Sequence, residues 1–216
     1  MEGITYDYMV DYLRGLIKDN IPVIKELESY AADNNIPIVQ KETARFLEII
    51  TAIQRPTKIL ELGTAIGYSS ILMSESLDNK VDILTIERDS RMITLAKDNI
   101  RKYGYNNINI LEGEALDILE RLEGTFDMIF LDGGQGHYNH YLPHCLRLLG
   151  KDGIIVADNV LFRGMVASDE LIKRRKITIV KRMRKYLDEV NANPALITSV
   201  IPMGDGIAVT RRRIKT

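Results

Sequence analysis

From Thr57 onward the chain alternates short apolar runs with longer segments of helical period, and this alternation constrains the fold more than any other feature. The apolar runs are Lys58–Leu62, Asp82–Ile86, Ile108–Leu111, Met128–Leu131 and Ile154–Ala157, and the intervening predicted helices are Tyr68–Glu75, Ser90–Tyr103, Ala115–Leu122 and His140–Leu149. A strand that returns to its sheet through a helix pairs in parallel by a right-handed crossover. A basic helix near Arg175–Val190 comes next, followed by two last strands, Ala195–Ile201 and Ile207–Arg212. Their linker, Pro202–Gly206, is of hairpin length, so the final strand should run antiparallel to its neighbour. The prediction is α/β: a seven-stranded mixed sheet, last strand antiparallel, with helices on both faces.

Three helical patterns precede the sheet, over Tyr6–Lys18, Pro22–Asp33 and Lys41–Gln54, and Pro22 suits a first helical turn. They predict an N-terminal helical cap (1–56) on a core of 57–216. No repeat, low-complexity tract or linker divides the chain, so 1–216 is read as one domain. Its 216 residues, 45% apolar, suffice for one large core. The tyrosines Tyr6, Tyr8 and Tyr12 read as core or subunit contact before they read as a base-stacking surface.

A lone cysteine, Cys145, cannot form an internal disulfide and fits a reducing compartment. The start, Met1–Ile4, lacks the basic and apolar regions of a signal peptide, and no apolar run approaches the roughly 20 residues of a membrane span. The expectation is a cytoplasmic protein with no membrane partner.

In such a sheet, ligands bind beyond the carboxyl ends of the strands, where the strand order reverses. The first strand ends in Glu61-Leu62-Gly63-Thr64-Ala65-Ile66-Gly67-Tyr68-Ser69. Gly63 and Gly67 permit a tight turn and close approach of a ligand, with Ser69 at the start of the helix beyond. The spacing is not the G-x-G-x-x-G that holds a dinucleotide pyrophosphate, which argues against a nicotinamide enzyme. Glu61 would repel a pyrophosphate but suits a cationic ligand. Glu87, ending the second strand, stands where a ribose diol would be gripped, and Glu114 and Ala115, after the third, would flank an adenine.

The fourth strand leads into Asp132-Gly133-Gly134-Gln135-Gly136-His137-Tyr138 and the fifth into Asp158-Asn159. Asp132, Asp158 and Asn159 thus offer three hard oxygen donors at adjacent strand ends, suited to Mg²⁺ or a similar divalent cation. A zinc site from His137, His140 and His144 is disfavoured, because Pro143 belongs in a first helical turn and so starts the helix near His140, leaving His137 outside.

These motifs resemble the class I S-adenosylmethionine-dependent methyltransferases, from about Lys41 to the C-terminus. The resemblance implies a Rossmann-like sheet, with the loop of Gly63 and Gly67 against the methionine part of the cofactor and Glu87 on its ribose. The D…DN set is similar to that of the catechol O-methyltransferase-like, metal-dependent branch, which implies a metal on Asp132, Asp158 and Asn159 that holds two vicinal substrate oxygens. Asp132 is then shared by metal, cofactor and reacting atoms. That branch usually reads Asp-x-x-Lys-x-x-Tyr, with the lysine as base, and this chain has Gln135 there. An amide cannot take a proton, which leaves His137 or metal-assisted ionisation alone. The branch also implies a homodimer.

The near-balance of 29 Lys+Arg against 30 Asp+Glu hides an asymmetry. Residues 1–159 hold 16 of the cations and 25 of the anions, and residues 160–216 hold 13 and 5. Lys173-Arg174-Arg175-Lys176 lies just beyond the predicted metal site, Lys181, Arg182, Arg184 and Lys185 are expected to decorate the open face of the basic helix, and Arg211–Arg213 with Lys215 close the chain. Several clusters on one side of an otherwise acidic protein read as a polyanion surface. Together with Asp158-Asn159-Val160-Leu161-Phe162-Arg163-Gly164 and Ile201–Gly206, this resembles the tRNA-modifying members of the branch. The resemblance implies methylation of 5-hydroxyuridine at the tRNA wobble position, with Lys173, Arg174, Arg175, Lys176, Arg182 and Lys185 on the RNA. The alternative is a small catechol-like acceptor.

Overall fold

The computed structural model describes residues 4–18 and 21–214. Its helices are α1 (Asp7–Leu16), α2 (Pro22–Asp33), α3 (Lys41–Gln54), α4 (Tyr68–Glu75), α5 (Ser90–Tyr103), α6 (Ala115–Arg121), α7 (Tyr138–Leu148) and α8 (Ile177–Ala192). Its strands are β1 (Lys58–Leu62), β2 (Asp82–Glu87), β3 (Ile108–Glu112), β4 (Phe126–Leu131), β5 (Leu149–Ala157), β6 (Leu196–Ile201) and β7 (Ile207–Arg212). They form one sheet in the order β3-β2-β1-β4-β5-β7-β6. β1 to β5 pair in parallel, and β7 lies antiparallel between β5 and β6. The predicted mixed sheet is observed, and its order reverses between β1 and β4, which puts the ligand crevice there.

Successive strand residues point to opposite faces, so each face has its own core. Ile59, Phe130 and Val156 pack with Ile24, Leu47 and Ile71 under α2 to α4. Leu60, Leu131 and Ile155 pack with Leu119, Leu142 and Val180 under α6 to α8. Local signals set the helix ends. The Asp89 carboxylate accepts from the backbone N–H groups of Arg91 (2.9 Å) and Met92 (3.0 Å), capping α5, and Gly104 closes it at a left-handed φ of 78°.

Three expectations are corrected. α7 starts at Tyr138, not His140, so Pro143 lies inside the helix. A 3₁₀ turn at Gln135–His137 leads straight into it, and Pro143 itself is exposed, while Asn139, whose carbonyl it leaves without an intrahelical donor, is buried. β5 begins at Leu149, five residues before the apolar run, because Leu149 still pairs with Phe126 across a register irregularity. Of the core or subunit contact expected for Tyr6, Tyr8 and Tyr12, only the core part is corrected: they are 63%, 69% and 67% exposed, and α1 buries no residue. Among the described residues no helix is long and apolar enough to cross a membrane. Lys215 and the start Met1–Gly3 lie outside the described residues.

Candidate active site

The crevice opens where β1 and β4 diverge. Gly63, at φ 102°, sits so close to the next chain segment that a Cβ there would lie 2.8 Å from the backbone nitrogen of Gly133. Only glycine allows both the conformation and the approach. Beside it is a cavity of about 310 Å³. Gly63, Glu87, Glu114 and Ala115 line it as predicted, together with His137. Arg88 and Tyr141 also form its wall and were not anticipated. Tyr141 lies one helical turn after His137 on α7, which is the spacing that could have signalled it. The Tyr141 ring stacks on His137 at 6.1 Å between centroids, and Arg88 pairs with Glu114 (3.1 Å) across the exposed rim.

Glu87 accepts backbone N–H bonds from Ala65 (3.0 Å), Arg88 (2.9 Å) and Asp89 (2.9 Å), which fix its carboxylate at the cavity wall. Glu61 and Ser69 are placed differently from their prediction. Both are buried and neither lines the cavity. The Glu61 carboxylate accepts from the hydroxyls of Ser69 (2.5 Å) and Ser70, so Ser69 braces Glu61 from behind the glycine loop. Burial raises the Glu61 pKa against the opposing pull of those hydroxyls. Gly67 is not on the cavity wall either. At φ 84° it caps the start of α4 and shapes the loop.

Asp132 follows β4 and Asp158 follows β5, on neighbouring strands. Their backbones are locked into the sheet: Asp132 N–H donates to Leu62 O (3.0 Å) and Asp158 N–H to Leu131 O (2.9 Å). Both carboxyls are held above the ordinary carboxylate range. For Asp132 the cause is burial, then the charges of Asp158 and Glu61; for Asp158 it is burial, opposed by the Asn159 N–H at 2.7 Å. Tyr138, fully buried, donates its hydroxyl to the carbonyls of Leu131 (2.9 Å) and Asp158 (3.2 Å), tying both strand ends to α7.

Asn159 takes a left-handed φ of 59°, and its side-chain oxygen accepts from Gln135 Nε2 at 2.8 Å. The loop beyond is fastened to the β6–β7 hairpin. Val160 N–H donates to Gly206 O (2.9 Å), Leu161 N–H to Asp205 O (3.0 Å), and Arg163 N–H to the Asp205 carboxylate. Among the ion pairs of the described residues none involves Asp132 or Asp158. Two desolvated, mutually repelling carboxyls without a cationic partner, beside an amide oxygen, fit a divalent cation. Among the described residues no three of His, Cys, Asp or Glu converge on a metal position, so the histidines form no such set, and a cation on Asp132 and Asp158 would need another donor such as the Asn159 amide. His137, at the exposed rim, is held below its usual pKa by partial desolvation and then by the Arg182 charge, a shift that favours the neutral imidazole.

The cations of the C-terminal part do not share one surface. Lys173 to Lys176 are exposed, and Arg174–Lys176 form a 3₁₀ turn ahead of α8 rather than its first turn. Lys176 Nζ stands 5.7 Å from the centroid of the Phe162 ring, beside the loop that leaves Asn159. Arg182 is half-buried and donates to Gly136 O (3.1 Å). Arg184 donates to Val166 O (2.9 Å) and Met165 O (3.3 Å) and pairs with Asp169 (2.7 Å). Lys185 pairs with Glu189 at 3.7 Å. Arg211, opposite Ile154 in the middle of β5, pairs with Asp152 at 3.8 Å, and Arg212 and Arg213 line a cavity with Lys151, on the side of β5 away from Asp158. The expected single basic side is therefore divided between the two ends of the sheet, and part of it is structural.

A sheet of this order, with its ligand cavity at the β1/β4 switch and an acid ending β2, defines a class I S-adenosylmethionine-dependent methyltransferase. The chain matches the O-methyltransferase family over residues 17–213 and belongs to it. It is 32% identical to "Catechol O-methyltransferase" of Niastella koreensis over 76% of this chain and 75% of that one. It is 29% identical to "Caffeoyl-CoA O-methyltransferase 1" of Eucalyptus globulus over 88% and 81%. In fold it matches the methyltransferase PaMTH1 of Podospora anserina, whose crystal structure holds SAH, with TM-score 0.88 at 24% identity, covering 96% of this chain and 95% of that one.

Proposed function

We propose that this enzyme methylates the 5-hydroxyl of 5-hydroxyuridine at the tRNA wobble position, giving 5-methoxyuridine, with a divalent cation such as Mg²⁺ held by Asp132, Asp158 and Asn159. The observation that supports the RNA reading is the exposed row Lys173–Lys176, whose last member, Lys176, stands against Phe162 of the loop that leaves Asn159. A wobble base is unpaired in its loop and can be splayed into a pocket, while cations outside hold its phosphates. The 5-hydroxyl and 4-carbonyl are vicinal oxygens, as in a catechol.

The methyl moves by in-line displacement: an oxygen–carbon bond forms as the carbon–sulfur bond breaks, leaving S-adenosylhomocysteine. The acceptor must be deprotonated and held close to the methyl. The bound cation supplies both acidification and position. Of the chain's own groups, Glu87 holds the ribose, Glu114 and Ala115 flank the adenine, and neutral His137 is the available proton acceptor, since Gln135 cannot serve. Asp132 is not among the residues lining the cavity, and its carboxyl would serve the cation.

A second reading, a small catechol-like acceptor, is favoured by the names of the relatives at 32% and 29% identity. Nucleoside mass spectrometry of tRNA from a strain lacking the gene separates them. The tRNA reading expects 5-hydroxyuridine to persist and 5-methoxyuridine to vanish; unchanged nucleosides in a strain with no second such enzyme, with turnover of free catechols by the purified protein, would establish the other.

A further inference from the structure

Gln135 stands where a proton-accepting lysine is expected, yet it is engaged. Its side-chain nitrogen donates to the Asn159 side-chain oxygen at 2.8 Å, across 24 residues of sequence. Its own turn is pinned from the far side, because Arg182 of α8 donates to Gly136 O at 3.1 Å. Asn159 has a left-handed backbone, and before a cation arrives its amide could present either its oxygen or its nitrogen to the site. The Gln135 nitrogen against that oxygen narrows this freedom: turning Asn159 alone would set an N–H₂ group against an N–H₂ group, so the two amides could turn only together. The carbonyl oxygen keeps a second lone pair for another partner.

We propose that Gln135 is a positioning residue that orders the Asn159 amide so that its oxygen, not its nitrogen, joins Asp132 and Asp158 on the cation, with Arg182 holding the turn that carries it. This rests on the metal-dependent reading of the site and assigns Gln135 a role other than base. Groups that orient a metal ligand are worth about 10–100-fold in metal affinity when removed. Gln135 thus loses the lysine's chemistry but keeps a donor, and proton removal falls to the cation and to His137.

The test is Mn²⁺ binding to the purified protein without substrate, followed by electron paramagnetic resonance. Gln135→Met, of similar length but without a donor, should weaken Mn²⁺ binding by about tenfold or more. Asn159→Asp supplies a carboxylate that offers oxygen whichever way it turns, so Gln135→Met should have almost no further effect in that background. Thermal midpoints of all four proteins guard against loss of fold. An equal penalty in both backgrounds, or none in either, overturns the positioning role. Wild-type protein that binds no Mn²⁺ and transfers methyl groups in excess chelator overturns the metal reading itself, a distinct outcome.

Discussion

The acidic site and the basic segment near it are built on different principles. Glu61 in β1, Asp132 after β4 and Asp158 after β5 lie on three adjacent strands, each fixed by sheet hydrogen bonds and two of them fully or nearly fully buried. The cations Lys173 to Lys176 occupy a single exposed segment ahead of α8. Charges in a desolvated site interact through a low effective dielectric, so each one alters its neighbours' ionisation, as Asp158 and Glu61 do for Asp132. Exposed charges are screened within about 10 Å at ordinary salt and act by number. Single changes should therefore decide the acidic site, and only combined changes the basic segment.

The largest effect is expected from Asp158→Ala, which should lower kcat/KM for methyl transfer by about 10³-fold, the several kcal/mol a catalytic cation contributes. Excess chelator should do the same to the wild-type protein, and activity within tenfold of wild type would break the comparison at its strong end. Next comes replacement of Lys173, Arg174, Arg175 and Lys176 together by alanine. Affinity for tRNA should fall about 10–100-fold, and the slope of log affinity against log salt should fall by about one for each phosphate no longer neutralised. Turnover of a small catechol should stay within about twofold. Equal losses on both substrates would show that the segment supports the site and does not receive RNA.

The sheet and its switch point were legible because a parallel sheet writes its strands as short apolar runs and its ligand site as the residues that follow them. Gly63, Glu87, Asp132 and Asp158 could be placed on that logic alone. What stayed hidden depended on contacts between distant segments. Ser69 reads as the first turn of a helix facing a cofactor, but its hydroxyl meets Glu61 behind the loop. Gln135 reads as a lost base until its amide is seen on Asn159. Arg182 and Arg184 read as solvated cations because charge counts ignore carbonyls, yet they bond to backbone oxygens that no pattern marks. Pro143 misled because the 3₁₀ turn at Gln135–His137 runs straight into the helix and starts it before the proline would.

That division among the cations gives a smaller effect that sharpens the comparison. Arg184→Ala removes two hydrogen bonds to carbonyls and an ion pair at a side chain 36% exposed. It should cost about 1–2 kcal/mol of unfolding free energy, read from urea denaturation, with tRNA affinity unchanged. Arg174→Ala should do the reverse, weakening tRNA binding slightly with no change in the urea midpoint. Exchange of these two signatures would mean that burial does not separate structural from binding cations on this surface.

The smallest effect concerns what the acidic site costs the protein without its cation. Asp132 has its pKa raised on folding, so the neutral form is preferred in the folded chain and ionisation works against folding. The stabilising contribution of a raised acid is complete below its unfolded pKa, near 3.9 for an aspartate, and is lost as pH rises through the folded value. Asp132→Asn replaces the carboxyl with a neutral group of the same shape. In chelator it should match wild type in stability at acid pH and exceed it by about 1 kcal/mol at pH 8, as urea midpoints at both pH values would read. Added Mg²⁺ should stabilise wild type and leave Asp132→Asn where it was, reversing their order. A gap that closes as pH rises would mean that Asp132 is not the strained acid its surroundings imply, and that the charge at this site is relieved by the fold itself and not by a bound cation.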